Sequence, residues 1–279
     1  MSNEAIKNFL DGFSIEVTPR AAAKIDNFAE LIPKGTLIYI AHIEGTPIDE
    51  MVATAKKINE QGFSPMPHFP ARIIKDKNVL QDWISKYQNE ANVKNGLLIA
   101  GGANKPYGEY DSSIQLIESE LFDKADFQNL HIAGHPEGSM DIDPDGSTKN
   151  VDQALSWKNE FSKRTDAKMA ITTQFSFDAD SVIRWANNVK ESGIDIPIHI
   201  GIAGPAKLQT LLRYSIECGV GASIKIIQKR AMDLTKLLLP YKPTNIITEL
   251  ATHKAKNPLF CLLYTSDAAD EGLGVDLGG

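Results

Sequence analysis

A glutamate in the first predicted strand has the setting of an acid–base catalyst. Glu16 stands between Ile15 and Val17, and because successive side chains of a strand point to opposite faces, it points away from the apolar face. A buried carboxylate is costly unless it is paired or functional. The pattern leaves two interpretations open: a general acid or base with a raised pKa, or a structural carboxylate paired with a lysine or arginine.

Two histidines follow predicted strands and are candidates to contact a ligand. His68 ends the third strand and His135 ends the fifth. For each, the pattern favours a hydrogen-bonded barrel or loop residue over a ligand role. His131 and His135 are separated by about 13 Å along a strand, so they cannot share a metal ion. No metal site is predicted.

Small and amide residues at three other strand ends are suited to a flat ligand. The pair Gly101-Gly102, followed by Ala103, lets the backbone approach a flat or phosphorylated group closely. Gln174 offers a donor and an acceptor to the edge of a heterocycle, and Gly201 brings backbone to the end of the seventh strand. The structural alternatives are an ordinary turn at Gly101-Gly102, a core amide at Gln174 and a plain loop at Gly201.

Short β-rich segments alternate with longer helical ones along the chain. The predicted strands are 14–18, 36–42, 64–70, 96–102, 129–134, 167–177 and 196–202. The predicted helices are 21–32, 48–61, 76–91, 112–122, 151–164, 179–192, 207–218, 224–239 and 244–253. The alternation implies right-handed βαβ units and a parallel sheet. It predicts an α/β fold, a (β/α)8 TIM barrel, with a doubly wound sheet as the alternative; no glycine-rich dinucleotide or P-loop motif supports the latter.

Composition argues against several classes of protein. The chain has 279 residues, 29 Lys and Arg against 36 Asp and Glu, and a net charge of -7, which argues against a nucleic-acid partner. Its 2 cysteines make neither a disulfide framework nor a zinc site. Without a signal peptide or an apolar run of about 18 residues, we expect a cytoplasmic protein with no membrane partner. The pattern leaves open whether the chain forms a homo-oligomer.

Short blocks occur in an order that resembles the methylenetetrahydrofolate reductase family. They are the strand around Glu16, then PHF, AGG, AGHPEG, ITTQFSFD and PIHIGIAGP, within residues 14–239. The resemblance implies a (β/α)8 barrel that passes hydride from NADH or NADPH to FAD and then to 5,10-methylenetetrahydrofolate. The product, 5-methyltetrahydrofolate, belongs to folate one-carbon metabolism and methionine biosynthesis, so the implied partner is a small folate.

By the same resemblance, three residues would contact the substrate. Glu16 matches the acid that protonates N10 of the folate, which opens the imidazolidine ring to an iminium that accepts hydride. Gln174 matches the glutamine that binds the pterin and borders the nicotinamide, and Gly201 lies in the glycine-containing strand that follows it.

The implied flavin site is altered in this chain. His68 matches a flavin-contacting histidine, His135 stands in place of a flavin-contacting tyrosine, and Lys158 matches a basic residue near the flavin phosphates. Where typical members carry Arg-Gly-Asp, this chain has Gly101-Gly102-Ala103, and His42 replaces the tyrosine of a Thr-Tyr pair. Divergent short members share the glycine-rich turn. Direct hydride transfer from nicotinamide to folate is therefore an alternative to the FAD route.

Two other functions are alternatives to the reductase. A folate-dependent methyltransferase-type barrel would bind the pterin and pass methyl groups to a corrinoid or an acceptor protein, with no need of nicotinamide. A non-catalytic truncated paralogue would keep the fold and lose the chemistry.

The C-terminal segment differs in character from the rest of the chain. Cys261–Glu271 resembles a translated sequencing adapter, and the residues up to Gly279 resemble its continuation; a disordered native terminus is the alternative. We therefore expect a catalytic barrel domain over 1–260 and a non-native tail over 261–279. Asn257–Phe260 would be the remnant of strand eight, and an incomplete eighth unit would expose sheet edges and promote aggregation.

Overall fold

A computed structural model of the chain describes residues 3–205, 211, 241–254 and 260–266. The helices predicted over 207–218 and 224–239 lie outside the described residues, apart from Leu211. Within the described ranges, no helix is both long and apolar enough to cross a lipid bilayer.

Helices and parallel strands alternate, as the sequence predicts. The helices are α1 (Asn3–Leu10), α2 (Pro19–Ala23), α3 (Ile48–Glu60), α4 (Lys77–Ala91), α5 (Ser113–Glu118), α6 (Leu121–Lys124), α7 (Lys149–Ser162), α8 (Ala179–Glu191) and α9 (Thr244–Lys254). The strands are β1 (Ser14–Val17), β2 (Leu37–Ile40), β3 (Ser64–Pro70), β4 (Asn95–Ile99), β5 (Asn129–Gly134), β6 (Lys168–Thr173), β7 (Ile198–Ala203) and β8 (Phe260–Ser266). Their order in the sheet follows their order in the chain. The predicted α/β class is confirmed.

These elements divide between two compact units. The β1–β5 unit comprises residues 14–133 and 160–171. The β7–β8 unit comprises residues 1–13, 134–159 and 172–279. Each unit contains several of the predicted site residues, and each is described separately below.

In the β1–β5 unit, the strand register places the ionisable residues on one face. The register pairs are Glu16 with Tyr39, Tyr39 with Met66, His68 with Leu97, and Leu97 with His131. Partners in register point to the same face of a sheet, and so do residues two apart on one strand. One face therefore carries Glu16, Tyr39, His68 and His131.

The opposite face of β3 packs against helices through an aromatic cluster. Phe69 makes edge-on contacts with Tyr87 of α4, Phe122 of α6 and Phe127, at ring-centroid distances of 5.4, 5.0 and 6.0 Å. All four rings are buried. Such pairs contribute about 0.5–1.5 kcal/mol each beyond the burial of area. The cluster therefore holds β3 in place, and with it His68 on the other face.

The first predicted helix is shorter than expected. Instead of 21–32, α2 covers Pro19–Ala23, and a separate 3-10 turn follows at Phe28–Glu30. The Asn27 side chain accepts a hydrogen bond from the Ala29 amide. Asparagine side chains compete in this way with the hydrogen bonds of a helix, which explains why the helix does not continue.

The eighth strand is present and lies farther along the chain than predicted. It pairs in parallel with β7, from Ile198 opposite Phe260 to Ala203 opposite Ser266. The prediction that strand eight is a remnant ending at Phe260 is wrong, because the strand begins there and continues to Ser266. The non-native origin of residues 261–279 stays a prediction.

Candidate functional site

Glu16 and His68 lie in contact at the carboxyl ends of β1 and β3. His68 Nε2 lies 2.9 Å from Glu16 Oε2, and the two side chains are 11% and 15% exposed. The parallel strands of one sheet bring their carboxyl ends to the same edge, so the side chains of Glu16 and His68 meet across β2 although they are 52 positions apart in sequence. Among the described residues, the neighbour of the carboxylate is thus a histidine.

His42 completes this cluster from the loop after β2. Its Nε2 donates to the Thr46 carbonyl oxygen at 3.0 Å, and its ring stacks on Trp83 of α4 at a centroid distance of 4.9 Å. Burial lowers the pKa of His42, the Thr46 hydrogen bond opposes this, and the charge of nearby His68 lowers it further. His42 is therefore a neutral ring at physiological pH. Its Nδ1 is buried and has no hydrogen-bond partner among the described residues, so it can accept an N–H from a ligand.

A second polar pair lies on the same face of the sheet. The Tyr39 hydroxyl and His131 Nδ1 are 2.7 Å apart, and both residues are buried. Sequence reasoning missed Tyr39 and Trp83. The strand register identifies Tyr39, because Tyr39 lies directly beside Glu16 on the neighbouring strand.

The glycine-rich loop after β4 is shaped by its own packing. Gly101 has a φ of +94°, and a Cβ there would lie 2.8 Å from Pro70 Cβ, so the fold itself requires glycine at this position. A Cβ on Gly102 would meet nothing within 4 Å. Ala103 is buried. Of the two glycines, Gly102 is the one at which the surrounding protein would leave room for a side chain.

Arg72, which sequence reasoning missed, braces this loop. Its Nε donates to Asp111 Oδ1 at 2.9 Å, and its Nη1 donates to the Ala103 carbonyl oxygen at 3.2 Å. The Tyr107 amide donates to the Arg72 carbonyl oxygen at 2.7 Å. The loop is thus tied to the segment after β3 from both ends.

In the β7–β8 unit, Gly201 has a structural role next to Gln174. A Cβ on Gly201 would lie 2.6 Å from the Thr173 carbonyl oxygen and 3.0 Å from the Gln174 carbonyl oxygen. The Gly201 amide donates to Thr173 Oγ1 at 2.8 Å. Glycine at 201 is therefore needed for β7 to approach the end of β6 closely. That approach fixes the backbone of Gln174, whose amide donates to the Gly134 carbonyl oxygen at 3.0 Å.

His135 and Lys158 are two basic groups held close together. Burial lowers the pKa of Lys158 to about 8. Burial also lowers the pKa of His135, to about 4; the Lys158 charge adds to this, and Asp141 opposes it. Lys158 is the cation and His135 is neutral at pH 7. A buried cation beside a neutral imidazole is suited to an anionic group such as a phosphate.

A pocket of about 360 Å³ opens between α7 and α8, with His135 at its edge. Its lining includes the polar side chains of Asp152, Ser181 and Arg184 and the apolar surface of Trp185. Its size admits a small molecule or one moiety of a larger cofactor.

The residues of the β1–β5 unit do not fit the flavin ring that the resemblance implies. His68 is engaged by Glu16, Gly101 is required by Pro70, and Ala103 is buried and has no polar side chain. The aspartate of the typical motif has no equivalent at 101–103. Among the described residues of this unit, the buried Nδ1 of His42 and the open space at Gly102 are suited to a ligand.

Comparison with known proteins identifies the family. A family model described as methylenetetrahydrofolate reductase matches residues 43–230, more than half of the chain. Methylenetetrahydrofolate reductase 1 of Schizosaccharomyces pombe is 36% identical over 74 residues, which is 26% of this chain and 11% of the yeast protein. Glu16 and His42 precede the matched region of the family model, so their assignment depends on geometry.

A solved structure shares the fold at low sequence identity. It is an uncharacterized protein from Clostridium thermocellum that binds two copies of 5-methyl-5,6,7,8-tetrahydrofolic acid. The TM-score is 0.59 at 11% identity, and the alignment covers 97% of this chain and 94% of the other. With more than half of its length matched by the family model, the chain belongs to the methylenetetrahydrofolate reductase family.

Proposed function

We propose that the chain reduces 5,10-methylenetetrahydrofolate to 5-methyltetrahydrofolate, with NADH or NADPH as the hydride donor, on the cytoplasmic (β/α)8 barrel expected from its sequence. Family membership supports the reaction class. The folate bound by the Clostridium thermocellum protein of similar fold supports a pterin ligand. The observation that carries the proposal is the Glu16–His68 pair, a partly buried carboxyl group beside an imidazole at strand carboxyl ends.

The proposed reaction needs one hydride and one proton. Glu16 in its acid form donates a proton to N10 of the folate, the bond between N10 and the bridging carbon breaks, and an iminium forms at N5. The bridging carbon then accepts hydride from C4 of the nicotinamide. The products are 5-methyltetrahydrofolate and NAD(P)⁺, and Glu16 is left as a carboxylate.

His42 has a binding role in this proposal. Its Nδ1, which is buried and has no hydrogen-bond partner among the described residues, accepts a hydrogen bond from the carboxamide of the nicotinamide. No step passes through FAD, because the residues at 101–103 and His68 do not fit its ring.

Anaerobic assay of NADH and NADPH oxidation tests the proposal. We expect oxidation that depends on 5,10-methylenetetrahydrofolate, from protein whose absorption spectrum lacks a flavin band and without stimulation by added FAD. Activity found only with bound or added FAD would contradict the direct route.

The Glu16→Gln variant tests the acid. It keeps the shape of the side chain and removes its proton, so kcat should fall by about 10²–10⁴-fold, the usual contribution of general acid catalysis. The KM for folate should change little. Wild-type kcat in this variant would exclude Glu16 as the acid.

A methyltransferase-type barrel is the second candidate. The 5-methyltetrahydrofolate bound by the protein of similar fold is the methyl donor of such barrels. Binding of that folate by this chain, together with no oxidation of NADH or NADPH, would favour it over the reductase.

A further inference from the structure

We propose that the pocket between α7 and α8 binds a free amino acid with a large apolar side chain, held as a zwitterion. The inference goes beyond the proposed function. It assigns a ligand to a cavity of the β7–β8 unit, whereas the reductase proposal rests on Glu16, His42 and His68 of the β1–β5 unit.

The pocket is built from one face of each of the two helices. On α7 it is lined by Asp152 and Leu155, which are three residues apart, and on α8 by Trp185 and Val189, which are four apart. Residues at these spacings share a helix face. Leu155, Trp185 and Val189 are 4%, 8% and 4% exposed, so the floor of the pocket is apolar. The volume of about 360 Å³ admits a small molecule.

The charged groups of the lining balance each other. Among the described lining residues, Asp152 is the anion and Arg184 is the cation, while His135 at the edge is neutral at pH 7 because burial lowers its pKa to about 4. One charge of each sign above an apolar floor suits a ligand that carries one ammonium group, one carboxylate and an apolar body.

Both charged groups have hydrogen-bonding capacity left for such a ligand. Thr148 Oγ1 donates to Asp152 Oδ2 at 2.8 Å, and Arg184 Nη2 donates to Ser181 Oγ at 3.1 Å. A carboxylate has about four acceptor sites and a guanidinium has five N–H donors. Asp152 can therefore accept from the ligand ammonium, and Arg184 can donate to the ligand carboxylate.

The indole of Trp185 gives an independent reason to expect an acceptor in the pocket. Its Nε1 is buried and has no hydrogen-bond partner among the described residues. An indole N–H can only donate, and a buried donor without a partner is unfavourable. Because Nε1 is covered in the free protein, a ligand carboxylate reaches it only when the ring tilts into the cavity. Binding should therefore change the fluorescence of Trp185.

Calorimetric titration with three probes that share a phenyl ring tests the inference. L-Phenylalanine carries both charges, 3-phenylpropanoate lacks the ammonium group, and 2-phenylethylamine lacks the carboxylate. We expect L-phenylalanine to bind at least about tenfold more tightly than either of the other two, because each lacks one charge-assisted hydrogen bond. Undetectable binding of L-phenylalanine, or equal or tighter binding of a probe with one charge, would overturn the inference.

Charge-removing variants test the two walls of the pocket. Asp152→Asn and Arg184→Gln each change an exposed side chain, and each should weaken the binding of L-phenylalanine by about tenfold. Lys190→Gln, which removes a cation of α8 outside the described lining, is the matched control and should bind like the unaltered chain. Unaltered affinity in both Asp152→Asn and Arg184→Gln would contradict the proposal.

The fluorescence change provides a second readout. It should accompany the binding of L-phenylalanine to the unaltered chain and disappear in Trp185→Phe, which keeps an aromatic ring and removes the N–H. A change that persists in Trp185→Phe would place the ligand beside another tryptophan and overturn the assignment to this pocket. Oxidation of NADH or NADPH is measured separately, so a failure of this inference is distinguishable from a failure of the reductase proposal.

Discussion

Two neighbouring glycines after β4 have different causes. Gly101 adopts a left-handed backbone conformation and lies against Pro70, whereas Gly102 faces open space. The sequence alone could not distinguish the two glycines, because each is compatible with an ordinary turn and with a backbone that approaches a ligand closely. The structure assigns Gly101 to the fold and leaves Gly102 as the position where a ligand contact can be tested.

We predict opposite effects for alanine at these two positions. Gly101→Ala should lower the free energy of unfolding by about 1–3 kcal/mol, because a side chain is strained at positive φ and this one also meets Pro70. Gly102→Ala should leave the free energy of unfolding unchanged and raise the KM for NADH or NADPH, since the added methyl group enters the space of the ligand. Denaturant titration and steady-state kinetics measure the two effects. An unchanged KM in Gly102→Ala would remove Gly102 from the candidate site.

The sequence was informative about residue types and uninformative about partners. The alternation of apolar residues correctly put Glu16 on the face opposite Ile15 and Val17. Its partner, His68, could not be predicted, because the pairing depends on how three strands align in register. The same limit applies to Arg72, whose role depends on contacts with the loop up to Asp111.

At the scale of elements, a buried aspartate starts the helix that carries Lys158. Asp143 is 1% exposed. Its two carboxylate oxygens accept hydrogen bonds from the amides of Asn150 and Val151, at 3.0 and 3.1 Å. These amides belong to the first turn of α7, where backbone donors have no partner within the helix. Asp143 therefore fixes where α7 begins, although it is distant from that position in sequence.

Removal of this cap should be costly. We predict that Asp143→Ala lowers the free energy of unfolding by about 1–3 kcal/mol, because it leaves buried amides without partners. The matched control is Asp145→Ala in the same loop, whose carboxylate is exposed and accepts from the Ser147 amide; it should unfold like wild type. Equal denaturation midpoints for the two variants would contradict the role of Asp143.

Element positions were predictable where hydrophobic periodicity was strong. The predicted helix at 48–61 closely matches α3, and the strand predicted at 64–70 matches β3 despite its three prolines. The helix predicted at 112–122 is instead split into α5 and α6, because Glu120 adopts a φ of 60° between them. The N-terminal helix α1 was missed. Such breaks depend on single backbone conformations, which periodicity does not report.

At the scale of the whole molecule, the order of strands was predictable and the last strand was not. Parallel strands joined by helices must follow the alternation seen in the sequence. β8 occupies residues that the sequence predicts to be a non-native tail. A backbone can extend the sheet through its own amides and carbonyls, with little demand on side chains, so composition did not reveal it.

Stability against acid is also a property of the whole molecule, because several histidines are folded in the neutral state. Burial lowers the pKa of His199 and of His135 to about 4 each, and it lowers that of His42. In the unfolded chain, histidine titrates at about 6.5. Between these values, the unfolded state binds more protons than the folded state, so the free energy of unfolding must fall as pH decreases.

We therefore predict that the free energy of unfolding decreases between pH 6.5 and pH 4, by up to about 3 kcal/mol for each strongly shifted histidine. Denaturant titration at a series of pH values measures the slope. The His199→Gln variant removes one of the contributing groups, so its curve should be less steep over this interval, whatever its stability at pH 7. A slope equal to that of the unaltered chain would show that His199 binds protons equally in the folded and unfolded states, and burial would then not be the dominant influence on that histidine.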